Sequence, residues 1–460
     1  MKASKKAPRM NWGTLIAPYR HNRDGDIKVD QIVEGRSPYQ KDQDKIYFSS
    51  SFRRLGKKTQ VHPLADNDHI HTRLHHSIEV ASVGRSLGVH VGYKIAEDLP
   101  DRVTSPIQLG EIVQAACLAH DIGNPPFGHA GEYAIQDWFT RSENDGKLKK
   151  LKSGQKMDLK LFDGNALGFR ILTKIEYDTF AGGMRLTYPT LAAMLKYPWS
   201  SLQAEGMSKA KFSCFESELQ ELNDIGKKLG LIKLADNHWC RHPLAYLVEA
   251  ADDLCYSILD LEDARELRIV TLKRLRNKVF DNYHKEDQDY KLFMDTKEIS
   301  LRRKLAYARG KTMHKAIHAI TEAFLGNYDN IMAGQPIGDL ISKCDSDTST
   351  LIEEAKKLCR EEVYKHPRKI ELEIGAYTAI GTMLQAFFEA ASELSTKHAK
   401  DLGFKNRRVI DLLGTNAPGG KEDLYNIIMR FLDYIGGMTD QFATHISQQI
   451  QGIGAGNITR

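Results

Sequence analysis

A helix-breaking turn fixes the centre of this chain. Residues 117–132 read Cys-Leu-Ala-His-Asp-Ile-Gly-Asn-Pro-Pro-Phe-Gly-His-Ala-Gly-Glu. The residues before the turn have helical apolar spacing, and that helix must end between Gly123 and Pro126. Glycine accepts the left-handed conformation of a helix C-terminus, and proline cannot continue the hydrogen-bond ladder. A second helix can begin near Gly128, so the stretch predicts two helices joined by a rigid turn.

Side chains suited to metal binding and proton transfer flank this turn. His120 and Asp121 close the first helix, and His129 and Glu132 stand at i and i+3 on one face of the second. Imidazole with carboxylate suits Mn, Fe, Co, Ni or Zn, and carboxylate suits Mg as well. A histidine held by a carboxylate is a common arrangement for proton transfer. A lone His-Asp pair is a weak motif, so the interpretation depends on further ligands.

Two other helical patterns supply such ligands. His76 lies on the apolar stripe of a predicted helix over 74–98, and Asp252 lies beside the apolar stripe of a predicted helix over 243–264. Carboxylates beside a stripe that faces the core are costly unless they are paired or bind a metal. The flank of the second helix carries three polar residues at intervals of four: Asp252, Tyr256 and Asp260.

The order His…His-Asp…Asp, formed by His76, His120, Asp121 and Asp252, is that of the HD-domain phosphohydrolases, which the chain resembles. Four further stretches resemble the bacterial deoxyguanosine triphosphate triphosphohydrolases (dGTPases). They read FRRLGKKTQV at 52–61, TRLHHSIEV at 72–80, RHPLAYLVEAADD at 241–253 and DYIGGMTD at 433–440. Several long motifs in the right order make this resemblance far more specific than an isolated His-Asp pair.

The resemblance implies a metal-dependent enzyme that hydrolyses deoxynucleoside triphosphates, dGTP first among them, to deoxynucleoside and inorganic triphosphate. It implies a divalent metal ion, Mn or Mg, held by His76, His120, Asp121 and Asp252. His129, oriented by Glu132, is the candidate for proton transfer. The candidate substrate contacts are Arg54, Leu55, Gln60, Arg73, Lys211, Tyr256, Asp260 and Arg309.

Composition agrees with a globular intracellular enzyme. The chain has 460 residues, 41% hydrophobic and 27% charged, which is enough for a large core or two lobes. No apolar run reaches the roughly 18 residues of a membrane helix, and no apolar segment follows the basic N-terminus. The six cysteines are scattered, so we expect reduced thiols in a cytoplasmic protein. A net charge of +5 does not by itself indicate nucleic acid binding, but it suits an anionic substrate.

We predict an all-α fold, in which an HD-domain helical core carries an additional helical C-terminal half. The predicted division is an N-terminal surface segment over 1–45, a catalytic core over 46–275 and a C-terminal region over 276–460 packed on it. Helical patterns in the C-terminal region cover 297–327, 349–363, 369–394 and 422–449. The lysine-rich residues 141–160 predict a mobile loop.

Two alternatives stay open. One is an HD-domain nucleotidase or phosphodiesterase of other specificity. The other is a protein on the same fold that senses nucleotides or single-stranded DNA without catalysis, and its mark would be a lost metal ligand or a lost His129. Neither is lost here. The resemblance also implies a homo-oligomer, a hexamer, and single-stranded DNA is a further candidate partner.

Overall fold

The computed structural model describes residues 8–30, 35–60, 69–178, 181–204, 210–418 and 422–453. Helices make up most of these ranges, which confirms the predicted all-α fold. The strands within them form two short antiparallel hairpins. In one, β1 (Tyr19–His21) pairs with β2 (Ile27–Val29), and in the other, β3 (Lys233–Ala235) pairs with β4 (His238–Trp239).

The helices follow in chain order. The first twelve are α1 (Trp12–Leu15), α2 (Pro38–Tyr47), α3 (Ser50–Arg54), α4 (Arg73–Lys94), α5 (Ser105–Ala119), α6 (His129–Asn144), α7 (Ser153–Lys160), α8 (Gly164–Arg170), α9 (Tyr188–Met194), α10 (Ser201–Ala204), α11 (Leu219–Lys228) and α12 (Pro243–Glu266). The others are α13 (Leu272–Leu275), α14 (Asp281–Tyr283), α15 (Gln288–Asp295), α16 (Leu301–Gly326), α17 (Tyr328–Met332), α18 (Ser346–Leu358), α19 (Pro367–Leu394), α20 (Phe404–Asp411), α21 (Leu424–Gly436) and α22 (Asp440–Gln451).

Shorter helical turns connect them. Segments of 3₁₀ helix are Leu55–Lys57, Ala96–Asp98, Glu216–Glu218, Ile341–Lys343, Ala399–Asp401 and Gly414–Asn416, and segments of π helix are Ile171–Ile175, Arg276–Phe280 and Cys359–Val363.

Helices α4, α5 and α12 form the centre of the catalytic half. α4 packs against α5 along much of its length, and α12 packs against both. The backbones of α4 and α5 approach closely at Gly88, where a Cβ would lie only 2.8 Å from Gly110 Cα. On α5, Leu109 and Ile112 are fully buried, and burial of each contributes roughly 1.5–3 kcal/mol. This packing fixes the positions of three helices that carry candidate ligands.

The C-terminal helices pack on this centre. α16 lies against α4, α18 against α12, and α19 against α6. The N-terminal segment is also anchored in the core, because Trp12 and Leu15 are buried and the Trp12 indole donates a hydrogen bond to Tyr328 Oη at 2.7 Å. We retain the division at residues 45 and 275 as a proposal.

Two predicted features are wrong. The single helix over 422–449 is two helices, α21 and α22, because Thr439 begins a new one by accepting a hydrogen bond from Phe442 N. Residues 141–160, predicted as a mobile loop, instead include the end of α6 and the whole of α7. Leu148 and Leu159 in this stretch are fully buried. Among the described residues, no helix combines the length and apolar character needed to cross a membrane.

Candidate active site

Three helices bring the four candidate metal ligands together. His76 lies in the first turn of α4, His120 and Asp121 follow the end of α5, and Asp252 lies midway along α12. His76 Nε2 is 2.9 Å from Asp252 Oδ1, and His120 Nε2 is 3.5 Å from the same oxygen. Ligand atoms of His76, His120 and Asp121 all lie within 4.8 Å of one another.

The start of α12 is fixed by its own sequence. Pro243 occupies the first turn, where its missing N–H costs nothing, and His242 caps the helix by accepting a hydrogen bond from Leu244 N at 3.1 Å. The other ring nitrogen of His242 donates to Leu15 O at 3.1 Å. The cap therefore fixes where α12 begins and anchors the start of the helix to Leu15.

His120 is held so that Nε2 faces the other candidate ligands. Its Nδ1 donates a hydrogen bond to the Cys117 carbonyl oxygen at 2.6 Å, which leaves Nε2 directed at the cluster. Nε2 is buried and accepts no hydrogen bond. Metal-bound histidines are held in this way by a backbone carbonyl on the opposite nitrogen. Two imidazole nitrogens with two carboxylates fit a divalent metal ion.

The charges at the cluster attract a cation. Burial lowers the pKa of His120, but Asp121 and Asp252 raise it by more, to about 9. Burial raises the pKa of Asp121, but Arg73 and His120 lower it by more, so that it lies below its ordinary value. The carboxylates thus stay charged despite burial, and their field favours a positive charge between them.

The second candidate pair lies at the start of α6. His129 Nδ1 is 2.9 Å from Glu132 Oε2, and the other carboxylate oxygen accepts a hydrogen bond from Gly164 N at 2.8 Å. Burial raises the pKa of Glu132, but the hydrogen bond with His129 and the charge of Lys211 lower it by more, to about 2. Glu132 is therefore ionised at neutral pH and holds the ring so that Nε2 stays free for proton transfer.

The turn before α6 requires glycine at position 128. Gly128 has φ +59°, in the region that L side chains rarely adopt. A Cβ at this position would also lie 2.6 Å from Arg73 Nη2. The Arg73 guanidinium passes over this backbone and donates through Nη1 to Asp121 Oδ2 at 2.8 Å. Arg73 therefore lies between the metal cluster and the His129 pair.

A cavity of about 310 Å³ joins the cluster and the pair. That is the size of a small-molecule site, and three of its cationic side chains are Arg73, Lys196 and Lys211. The lining residues are Gln60, Arg73, His76, His120, Asp121, Asn124, His129, Glu132, Asn165, Ala193, Met194, Lys196, Tyr197, Lys211, Ala245, Val248, Glu249, Asp252, Asp253 and Tyr256.

Known proteins are similar to this chain in sequence over most of its length. Residues 73–163 match the family model of the HD domain. The chain is 45% identical over 445 residues to a deoxyguanosinetriphosphate triphosphohydrolase-like protein of Pseudomonas aeruginosa, covering 96% of this chain and 99% of that one. A protein of the same description from Synechocystis is 35% identical over 457 residues, covering 96% and 100%. The chain belongs to the dGTPase family of HD-domain phosphohydrolases.

A more distant relative carries the family name without the qualifier. The deoxyguanosinetriphosphate triphosphohydrolase of Klebsiella pneumoniae is 28% identical over 478 residues, covering 88% of this chain and 92% of that protein. Membership of the dGTPase family makes this protein a phosphohydrolase, and HD domains are metal-dependent. The His/Asp cluster is the place where the described residues could hold that metal.

Four of the residues predicted to contact substrate line the cavity. They are Gln60, Arg73, Lys211 and Tyr256. Gln60 Oε1 is buried without a hydrogen-bond partner, which leaves it free to accept from a ligand. Lys211 Nζ lies 3.4 Å from Glu132 Oε2 and 3.3 Å from Asp163 Oδ2, so its charge is held beside the His129 pair.

Two further residues predicted to contact substrate, Arg54 and Leu55, do not line this cavity. Leu55 is fully buried in the core. Arg54 lines a separate cavity of about 430 Å³ together with Tyr434 and Phe442. The structure does not bring either side chain to the metal cluster, and their contact with substrate stays a prediction.

The last two predicted contacts are paired with other residues. Asp260 is 2% exposed and accepts a hydrogen bond from Tyr364 Oη at 2.7 Å, and burial raises its pKa to about 8. Arg309 Nη1 donates to Glu262 Oε2 at 2.5 Å. Neither side chain lines the cavity, because each is directed to a partner elsewhere.

Several cavity residues had no assignment from the sequence. Asn124 follows the His-Asp pair and donates to the Asp121 carboxylate, and its place in the turn was the signal for it. Asp253 directly follows a predicted ligand, which was also a signal. Lys196 and Glu249 form an ion pair at 3.2 Å, and nothing in the local sequence indicates that they meet.

Proposed function

We propose that the protein hydrolyses deoxynucleoside triphosphates, with dGTP as the first substrate, to deoxynucleoside and inorganic triphosphate. The observation that carries the proposal is that four candidate metal ligands and the His129–Glu132 pair open onto one cavity with three cationic side chains. The name of the Klebsiella relative supports dGTP as the substrate.

We propose that His76, His120, Asp121 and Asp252 hold the metal, Mn²⁺ or Mg²⁺. A metal ion there would polarise a phosphoryl oxygen and lower the pKa of a water molecule. Arg73 would bind the triphosphate, because its guanidinium forms bidentate bonds to phosphate and its Nε is buried without a partner. Lys211 would neutralise a second phosphate.

The proposed reaction is attack by water on the α-phosphorus. The water oxygen bonds to phosphorus, the bond from phosphorus to the sugar 5′ oxygen breaks, and the 5′ oxygen takes up a proton. His129 is placed for that proton transfer, because Glu132 occupies its Nδ1 and leaves Nε2 available. Positioned acid–base groups of this kind contribute roughly 10²–10⁴-fold to a rate.

We propose that Tyr256 selects deoxyribose. Its ring lines the cavity one turn beyond Asp252, where it can cover C2′ and exclude a 2′ hydroxyl. Asp260 is the candidate acceptor for the 3′ hydroxyl, and that contact requires the bond from Tyr364 to open.

The decisive experiment is product analysis with purified protein. Each dNTP is incubated with Mn²⁺ or Mg²⁺, and the products are separated by chromatography. In ¹⁸O-labelled water, attack at the α-phosphorus places the label in triphosphate and none in the deoxynucleoside. Label in the deoxynucleoside would show attack at the sugar carbon instead.

The same chromatogram decides between the alternatives. Intact triphosphate supports the proposal. Orthophosphate, or a nucleoside monophosphate with pyrophosphate, would identify an HD-domain nucleotidase or phosphodiesterase of other specificity. No turnover of any dNTP, with nucleotide or single-stranded DNA binding retained, would indicate a sensor protein.

We further propose that the protein is a cytoplasmic homo-oligomer, a hexamer, and that single-stranded DNA is one of its partners. These proposals rest on the family to which the chain belongs. Light scattering coupled to size exclusion gives the mass of the assembly directly. Fluorescence anisotropy with a labelled oligonucleotide at several salt concentrations tests the DNA contact, because phosphate contacts weaken steeply with salt.

A further inference from the structure

Asp440 links the C-terminal half of the chain to the turn that presents His129. It is the first residue of α22 and only 1% exposed. One carboxylate oxygen, Oδ1, accepts a hydrogen bond from Phe127 N at 2.9 Å. The other, Oδ2, accepts from Thr59 N at 3.0 Å and from Thr59 Oγ1 at 2.8 Å. The carboxylate therefore joins three segments that are far apart in sequence.

Lys58 makes a second link between the same segments. Its Nζ is buried and donates to Asn124 O at 2.6 Å and to Gly436 O at 2.5 Å. Asn124 lies within the turn between α5 and α6, which spans residues 120–128, and Gly436 ends α21. A Cβ at Gly436 would lie 2.2 Å from Leu167 Cδ2, so this helix end is pressed against the catalytic half.

The two links hold the turn at two points that are three residues apart. Lys58 holds the carbonyl of Asn124, and Asp440 holds the amide of Phe127, which has the unusual φ of +65°. Gly128 and His129 follow immediately. The direction in which α6 begins, and so the position of the His129 ring, is set by contacts from residues 58–59 and 436–440.

We infer that Asp440, with Lys58, is a positioning residue for the proton transfer of His129, so that the 433–440 segment acts in catalysis through the turn without touching substrate. This inference rests on the proposed function. The buried Asp440 carboxylate accepts three hydrogen bonds, and one of them satisfies the backbone amide of Phe127, a residue that is held at positive φ.

The test compares two matched sets of variants. In Asp440→Asn, an amide nitrogen replaces one of the two carboxylate oxygens. This nitrogen cannot accept from the backbone N–H that it faces, so the hydrogen bond from Thr59 N or from Phe127 N is lost. Thr59→Val removes the hydroxyl donor and keeps the shape, and Thr59→Ser retains the hydroxyl. Thr312→Val is the control for loss of a buried hydroxyl, because Thr312 on α16 bonds to His284 Nε2 at 2.9 Å and does not line the cavity.

The expected result is a change in kcat with little change in KM. A displacement of about 1 Å in an acid–base group costs about 100-fold, so Asp440→Asn should lower kcat by about 10- to 100-fold. Thr59→Val should act in the same direction but less strongly, and Thr59→Ser and Thr312→Val should resemble wild type. Mn²⁺ affinity, measured by titration without nucleotide, should stay unchanged in all four variants.

Hydrogen exchange provides a readout that needs no turnover. In Asp440→Asn, peptides spanning residues 124–132 should exchange faster than in wild type, and peptides from α16 should not. Unchanged exchange and unchanged kcat in both Asp440→Asn and Thr59→Val would overturn the inference. If wild type turns over no dNTP, the proposed function fails, and the exchange comparison still decides whether Asp440 sets the turn.

Discussion

His129 and Glu132 form a hydrogen bond of 2.9 Å that joins an exposed side chain to a buried one. The His129 side chain is 73% exposed, whereas that of Glu132 is 3% exposed. The carboxylate is held by Gly164 N and Lys211, and the imidazole that it orients stands in the open cavity. The ring proposed for proton transfer is thus accessible to substrate, while the carboxylate that orients it is shielded from water.

This relationship predicts the effects of two substitutions. His129→Gln should lower kcat by roughly 10²–10⁴-fold, because the positioned proton donor is lost. Glu132→Gln should lower kcat by less. Its amide keeps the bond from Gly164 but turns an N–H toward His129 Nδ1 and so favours the opposite tautomer. Steady-state kinetics with the best dNTP measures both.

Metal titration is the control for these two variants, since neither residue is a proposed ligand. Both should bind Mn²⁺ with wild-type affinity. A large loss of affinity in His129→Gln would instead place this histidine among the ligands and contradict the assignment of proton transfer.

Loss of a metal ligand should have a different signature. His120→Gln and Asp252→Asn should each weaken Mn²⁺ binding by more than the roughly 10- to 100-fold that outer partners of a metal site contribute. Wild type should gain thermal stability on addition of Mn²⁺, about 2.7 kcal/mol at 100 times Kd, and the two variants should gain little at the same concentration. Calorimetry and thermal melts give both quantities.

Asp263→Asn is the matched control for metal binding. Asp263 is a carboxylate on the same helix as Asp252, but it is more deeply buried, with 2% of its side chain exposed against 30%, and it pairs with His71 at 2.6 Å. This variant should keep its response to Mn²⁺. Equal losses in Asp263→Asn and Asp252→Asn would mean that the effect comes from disturbing α12 and not from a ligand.

Sugar selection should depend on the ring of Tyr256. Tyr256→Ala should raise the rate with GTP relative to dGTP, because the space over C2′ is then open to a hydroxyl, and Tyr256→Phe should keep the wild-type preference. Competition assays with both nucleotides in one reaction give the ratio of kcat/KM directly. An unchanged ratio in Tyr256→Ala would show that another group excludes the 2′ hydroxyl.

The His71–Asp263 pair predicts a pH dependence of stability. Burial lowers the pKa of His71, but hydrogen bonds to Asp263 and Glu79 raise it by more, to about 10. Below about pH 6.5 both the folded and the unfolded chain hold the proton, and above that pH only the folded chain does. The stabilisation by His71 is therefore complete below about pH 6.5 and declines as pH rises toward 10.

Urea unfolding of wild type and His71→Gln at several pH values measures this decline. The difference in unfolding free energy between the two proteins should shrink by roughly 1–3 kcal/mol between pH 6 and pH 9. A difference that stays constant over this range would show that folding does not raise the pKa of His71. Comparison of the two proteins at each pH removes the contributions of other titrating groups.

The helices that carry the candidate metal ligands could be predicted from the sequence because their signals are local. Each ligand sits on a helix whose apolar spacing is evident, and the Gly-Asn-Pro-Pro turn fixes where α5 ends. Convergence of His76, His120, Asp121 and Asp252 was an expectation from the resemblance, and the packing of α4, α5 and α12 places these side chains together.

Residues whose partners lie far away in sequence could not be predicted in this way. The bond between Arg309 and Glu262 on α12 has no signal in the local sequence, and the contact of Arg309 with phosphate stays a prediction. Asp440 belongs to a local motif, and its partners Thr59 and Phe127 lie 381 and 313 positions away. Only the folded chain shows which buried donor and acceptor meet. The break between α21 and α22 was missed because the helical pattern runs through it.

The close contact of Gly88 with Gly110 has a consequence for the metal site that lies far from it. Gly88 stands 12 residues after His76 on the same helix, about 18 Å along its axis. A single methyl group at Gly88 would push α4 and α5 apart at their closest approach. The separation of the His76 and His120 imidazoles would then change without any alteration of the ligands themselves.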